Sequence, residues 1–180
     1  MPGLTLGIGE TNPKRGAIQY DARRVDGLPL KIVAASGLST VPVGTIVTWQ
    51  ESTTGKQILC TGAAPYTDDE YGTYSIIGIG FLEAVEQQNG SLNQTPGVFS
   101  DGDMAAMVSD LAPVAQVPFK ASEQPVAGAG CYVTVGGLIS SSAGGNVAFP
   151  GEVFVGTPGV QNSNQLKSGF MFARLSKNTI

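Results

Sequence analysis

The stretch Pro125 to Ser141, PVAGAGCYVTVGGLISS, constrains the chain more than any other. Val126 and Ala127 lead into Gly128, the β-favouring run Cys131-Tyr132-Val133-Thr134-Val135 follows, Gly136-Gly137 turns it, and Leu138-Ile139 returns. Two glycines between β-formers predict a hairpin, because a two-residue primed turn needs φ > 0, which glycine adopts without strain. A related phrase stands earlier. Val41-Pro42-Val43-Gly44-Thr45-Ile46-Val47-Thr48-Trp49 rises, Glu51 to Gly55 turns, and Lys56-Gln57-Ile58-Leu59 returns. Laying Gly44 on Gly128 puts Val47 on Cys131 and brings Gly55 near Gly136-Gly137. The stretches 41–60 and 125–141 therefore read as two hairpin pseudo-repeats, too few for a solenoid. Ordinary β proteins also contain such hairpins, and both explanations stand on the residues alone.

Composition agrees with a sheet protein. Charged residues are 13%, glycines number 25 and prolines 11. That content suits many turns and opposes long amphipathic helices, whose outer faces need charge. A length of 180 residues is enough to bury a real core. The expected organisation is an extended N-terminal arm over 1–30 and a single β domain over 31–180. The arm carries Gly3, Gly7, Gly9, Pro2 and Pro13 and the polar run Glu10 to Gly16, with only Ala17-Ile18-Gln19-Tyr20 able to add a short strand.

Along the body, strands are expected at Leu28–Val33, in the first hairpin, at Ser75–Val85 (with a bulge or close backbone approach at Gly78 or Gly80), at Met104–Val108 and at Ala112–Phe119. The second hairpin follows, then Val147–Val155 broken at Pro150-Gly151, then Gly169–Leu175. In that last strand Phe170, Phe172 and Arg174 share one face and Met171, Ala173 and Leu175 the other. Thr61–Tyr74 and Gln87–Asp103 read as polar loops. A short helix over 103–110 is an alternative to the strand there. About ten short strands at this spacing predict an all-β, compact β-barrel or β-sandwich.

Charge is unevenly placed. Residues 1–31 hold five bases against three acids, and the remainder five bases against eleven acids. A basic head on an acidic body points to an acidic surface for the head to meet, or simply to a solvated loop. The overall charge of −4 opposes nucleic-acid binding, which depends on concentrated Lys and Arg. No apolar run reaches the ~18 residues of a membrane span, and residues 1–30 lack a signal-peptide core, so synthesis in a cytoplasm is expected. The two cysteines, Cys60 and Cys131, lie in or beside apolar strands as small hydrophobes; a bridge between them stays conceivable.

Catalytic chemistry finds little footing. With no histidine, Ser-His-Asp and Cys-His arrangements are impossible and the commonest zinc ligand is missing. Asp68-Asp69-Glu70 and Asp101-Gly102-Asp103 do not match the twelve-residue calcium loop. Gly7-Ile8-Gly9, Gly78-Ile79-Gly80 and Gly128-Ala129-Gly130 lack the spacing of phosphate loops. Neither enzymatic activity nor a cofactor or metal is expected.

The order of the apolar phrases resembles the cement or head decoration proteins of tailed bacteriophages. The lead Val41-Pro42-Val43-Gly44-Thr45-Ile46-Val47 precedes Ile76-Ile77-Gly78-Ile79, then Ala127-Gly128-Ala129-Gly130-Cys131-Tyr132, then Gly137-Leu138-Ile139, and the chain closes on Phe170-Met171-Phe172-Ala173-Arg174-Leu175. The likeness covers about Leu30 to Leu175, and it departs from the family at Ala129, where such proteins often carry an acid. The resemblance implies a non-catalytic β domain on the outer capsid surface of a virion, partnered by the major capsid protein and by its own copies, commonly as a trimer. It also implies an arm in contact with the capsid, for which the candidate residues are Lys14, Arg15, Tyr20, Arg23 and Arg24. The competing expectation is a β-rich adhesin or tail-associated module that binds a receptor or glycan, using a patch around Asp68-Asp69-Glu70 and Tyr71. A small hydrolase or depolymerase ranks last, for want of histidine and of a catalytic motif.

Overall fold

A computed structural model describes residues 30–35, 38–83, 98–109, 114–155 and 169–176. None of these is helical, and the strands are β1 (Leu30–Val33), β2 (Val41–Pro42), β3 (Ile46–Glu51), β4 (Gln57–Thr61), β5 (Thr67–Asp68), β6 (Gly72–Thr73), β7 (Ser75–Glu83), β8 (Val98–Phe99), β9 (Met104–Val108), β10 (Val114–Pro118), β11 (Tyr132–Val133), β12 (Ile139–Ser140), β13 (Val147–Ala148), β14 (Gly151–Phe154) and β15 (Phe170–Leu175). The all-β expectation holds. The expected ten strands are fifteen among the described residues, because several two-residue ladders lie inside stretches that read as loops. The alternative of a helix over 103–110 gives way to β9, whose Ala105 and Met107 alternate into a core.

Five strands close a barrel in the order β1-β4-β3-β7-β9, with β9 returning to β1. Only the β1–β4 pairing is parallel, Ile32 lying opposite Leu59. The period of two decides which side chains point inward. Leu30 and Ile32, Val47 and Trp49, Leu59, Leu82, and Ala105 and Met107 come from all five strands and form one cluster, which is therefore the barrel interior. Val41, Val43 and Phe99 join it beside the small β2–β8 ladder. A barrel of five strands has room for side chains alone. Gly80 meets the resulting crowding, since a Cβ there would fall 2.4 Å from the Val108 carbonyl oxygen. The bulge expected nearby is also present: Trp49 pairs with Gly78 but Gln50 with Ile76, leaving Ile77 the extra, outward and exposed residue.

The outer face of β3 and β7 forms a second core. Ile46, Ile79 and Phe81 pack with Ala115, Val117, Cys131, Val133, Ile139, Phe149, Val153, Met171, Ala173 and Leu175 from the later strands. These strands form the sheets β10-β15-β14 and β12-β11-β13, joined by a Phe119–Ile139 bridge. The expected two faces of the last strand are present, with Met171, Ala173 and Leu175 in this core. On the other face Phe154 stacks on Phe172 and Arg174 lies over the Phe154 ring at 5.5 Å. Burying a side chain such as Phe81 contributes about 1.5–3 kcal/mol, so both faces of β7 hold the fold together.

The 41–60 stretch forms the β3–β4 hairpin, five residue pairs from Val47–Thr61 to Glu51–Gln57. The 125–141 stretch forms the shorter β11–β12 hairpin, Tyr132 opposite Ser140 and Val133 opposite Ile139. Its lead-in differs from the strand expected: Val126 to Ala129 is a turn, closed by Ala129 N donating to Val126 O. Pro42 to Thr45 turns in the same way, and Gly44 and Gly128 both sit third in their turns with φ of 90° and 78°. That position of a type II turn requires φ > 0.

The Gly136-Gly137 turn also differs from the two-residue primed turn expected. Thr134 to Leu138 connects the strands, Gly137 N donating to Thr134 O, and of the two glycines Gly137 alone has positive φ, 76°. The reason lies across the molecule. The tip enters the end of the barrel wall, where Ile46 N donates to Gly137 O at 3.0 Å and Thr61 Oγ1 to Val135 O at 3.2 Å. A Cβ on Gly137 would lie 2.3 Å from the Ile46 carbonyl oxygen, and one on Gly62 2.5 Å from that of Thr134. Only bare backbone fits there.

Candidate functional site

The residues expected to contact a capsid, Lys14, Arg15, Tyr20, Arg23 and Arg24, lie outside the described residues. The patch named for the competing reading lies within them. Its sequence, Tyr66-Thr-Asp-Asp-Glu-Tyr-Gly-Thr-Tyr74, is nearly symmetric about its centre, and it folds accordingly. Thr67 pairs with Thr73 and Asp68 with Gly72 in a small hairpin. The Thr67 and Thr73 hydroxyls meet at 2.9 Å, and Tyr74 N donates to Tyr66 O. The reading of 61–74 as a plain polar loop overlooked Tyr66 and Tyr74. The mirrored YT…TY flanks were the available signal, since matching residues equally far from a turn face each other across a hairpin.

A buried amide holds this hairpin to the barrel. Gln50 is fully buried, and its Nε2 donates to Thr48 Oγ1 at 2.7 Å and to Ala64 O at 2.9 Å, while its Oε1 accepts from Tyr66 N at 2.8 Å. Thr48 Oγ1 in turn donates to Gly62 O. Both the Nε2 and the Oε1 of the buried Gln50 are thus bonded, to Thr48, Ala64 and Tyr66, which leaves the amide satisfied rather than costly while it fixes 64–66 to the barrel. Beneath the hairpin, Ile58 and Cys60 pack with buried Tyr74, and Val33, Tyr66 and Tyr71 close over them.

Asp68 is the hairpin's internal brace. Its Oδ1 accepts from Tyr71 N and its Oδ2 from the Tyr74 hydroxyl at 3.0 Å. Burial, aided by the Asp68 carboxylate, pushes the Tyr74 phenol up to about 12. Burial also raises Tyr66, with Asp68 contributing, and a hydrogen bond to Glu70 raises Tyr71. All three phenols stay neutral donors at ordinary pH. The Tyr66 and Tyr74 rings stand 5.5 Å apart, with Tyr74 buried and Tyr66 and Tyr71 half-exposed. Asp69 and Glu70 are exposed at the tip. The surface offers two partly exposed tyrosines beside the exposed carboxylates of Asp69 and Glu70, a combination that suits cationic or hydroxyl-rich groups.

The other groups singled out have structural places. Asp101 Oδ1 accepts from Ala34 N and Asp103 Oδ2 from Ser100 N. Among the described residues no three potential ligands gather as a metal site. Cys60 and Cys131 are both free, so the conceivable bridge does not form, and both are buried. Burial pushes each thiol up to about 11, with the Asp101 charge adding to the effect at Cys60. Such thiols are protonated at neutral pH and poor nucleophiles. No family model matches the chain, and neither a curated protein nor a solved structure does.

Proposed function

We propose that this chain is a bacteriophage head decoration, or cement, protein, which binds the outer capsid surface and stabilises contacts between major capsid protein subunits. One observation carries the reading. Each apolar phrase on which the resemblance rests sends a residue into the same core: Ile46, Ile79, Cys131, Ile139, and the trio Met171, Ala173 and Leu175. Phrases scattered along the chain thus act as one structural unit, the single packed body that a decoration domain would need. A ligand that binds only the assembled shell stabilises it by mass action, and many weak contacts repeated over a lattice sum through multivalency. On this reading Lys14, Arg15, Tyr20, Arg23 and Arg24 contact the capsid, and the copies associate on the lattice as trimers.

The test is quantitative mass spectrometry of gradient-purified particles from the source lysate. Near-stoichiometric abundance relative to the most abundant shell protein is the expected result, and absence from particles would overturn the proposal. Removing residues 1–29 is expected to abolish shell occupancy while leaving the β fold intact; unchanged occupancy would remove the arm from the mechanism. The second reading, a receptor- or glycan-binding module, draws on the half-exposed Tyr66 and Tyr71 beside Asp69 and Glu70. It predicts a handful of copies per particle and glycan binding that is lost in Tyr71→Ala.

A further inference from the structure

β12 stands at one end of the β12-β11-β13 sheet and pairs with β11 over two residues only. Its other side is covered by the segment that leaves β10. Phe119 bridges to Ile139, Lys120 N donates to Ile139 O at 2.8 Å, and Ser141 N donates to Glu123 O at 2.9 Å. Without that cover the edge would present unpaired donors and acceptors to any neighbouring strand. The cover is itself strained. Glu123 N donates to Lys120 O and closes a turn over 120–123. Ser122 within it has φ of 65°, the one non-glycine residue in the left-handed region among the described residues. Such a conformation persists only where the surrounding contacts hold it.

One carboxylate supplies the side-chain hold. Glu123 Oε1 accepts from Lys120 Nζ at 2.7 Å, and its Oε2 accepts from the Ser140 hydroxyl. Ser140 is fully buried, and its hydroxyl also accepts from Ser142 N at 3.0 Å. Both bonds end on an ionised acceptor, which makes them stronger than bonds between neutral groups. Lys120 is the charged group that faces Glu123, from within the turn; β12 faces it with Ser140, which does not titrate. We propose that Glu123 is an acid-operated latch: ionised, it holds the 120–123 turn closed over the β12 edge, and neutralised, it lets the strained turn lift away. The bonds from Lys120 and then Ser140 hold the Glu123 carboxyl below its ordinary value of 4.5. A carboxyl lowered in this way stabilises the closed turn above that value, and the contribution is lost as pH falls through its own, lower pKa.

Native-state hydrogen exchange on the full-length protein, resolved at the Lys120 and Ser141 amides, tests the latch. Glu123→Gln keeps the shape of the side chain and removes its charge. It is expected to raise the opening of both amides about tenfold at neutral pH, the change that losing a bond to a charged group brings. In the parent chain the same amides, corrected for the intrinsic pH dependence of exchange, are expected to lose protection as pH drops below 4.5, while the β3–β4 ladder keeps its own. In Glu123→Gln that acid step is expected to disappear. Adding Ser122→Gly, which relieves the backbone strain, is expected to restore part of the lost protection. Amides as well protected in Glu123→Gln as in the parent, or an acid step that survives in the variant, would overturn the proposal. Opening that occurs only together with the β3–β4 ladder would do the same, since that is global unfolding. An opening unmoved by Ser122→Gly would equally defeat it, because the turn would then hold no strain to release.

Discussion

The β3–β4 hairpin runs five residue pairs within the barrel wall, whereas the β11–β12 hairpin holds only two pairs and ends in a turn driven into that wall. The first is secured on both faces, by the barrel interior on one side and by Gln50 and Tyr74 on the other. The second has almost no ladder of its own and depends on where its tip lands. Local strand pairing and long-range docking are therefore alternative ways to hold the same kind of unit.

The sharpest test of that contrast compares two turn glycines with similar φ, Gly137 at 76° and Gly55 at 84°. A Cβ at Gly55 meets nothing within 4 Å, while one at Gly137 would overlap Ile46 and Thr45. Gly55→Ala should cost about 1–2 kcal/mol, the strain of a left-handed backbone alone. Gly137→Ala should cost about 4 kcal/mol, since overpacking adds to that strain. Urea titration measures both, and equal losses would mean that the docked tip is dispensable.

Gln50→Leu tests the outer support of the first hairpin. It leaves Tyr66 N and Ala64 O without their side-chain partner and should cost about 2–3 kcal/mol in the same titration. An unchanged midpoint would show that the hairpin over 66–74 seats itself without the amide. Ser140→Ala tests the second hairpin at its base, where the buried Ser140 hydroxyl donates to Glu123. A loss of about 1.5 kcal/mol is expected, the lower end for a hydrogen bond to a charged group, since the hydroxyl also accepts from Ser142 N and the carboxylate is partly solvated.

The smallest effect at neutral pH appears only in alkali. Tyr74 is raised from 10 to about 12, and Cys60 and Cys131 from 9 to about 11. A raised native pKa means that the unfolded chain loses its proton first. The stabilisation is complete below about pH 9 and falls as pH rises toward 12. Tyr74→Phe should flatten the upper part of that decline in pH-dependent melting; a decline unchanged in the variant would place its cause elsewhere.

Much of this architecture was legible wherever chemistry is local. Both hairpins, the break at Pro150-Gly151, the crowding at Gly80, the bulge beside Gly78 and the two faces of Phe170 to Leu175 follow from residue spacing. What was not legible depends on partners remote in sequence. Nothing near Gly137 says that its carbonyl must accept from Ile46 N, so a tight primed turn was the natural expectation. The two-residue strands β5 and β6 escaped notice because their polar residues carry no apolar alternation, and their order came instead from the mirrored tyrosines. Barrel closure by β9 onto β1, with Lys31 opposite Met104, likewise leaves no mark on either segment. The residues expected to touch a capsid lie in 1–29, outside the described residues, and the contact remains a proposal.

The docked tip has a consequence for the order of events during synthesis. The β3–β4 hairpin can pair as soon as its residues leave the ribosome, since its contacts are local. Its end at Ile46 and Gly62 stays uncovered until the chain has been extended through Gly137. A nascent chain therefore passes through a period with half of a core exposed, and synthesis through β15, which supplies Met171, Ala173 and Leu175, rather than completion of the barrel strands, is the event that ends its exposure to aggregation.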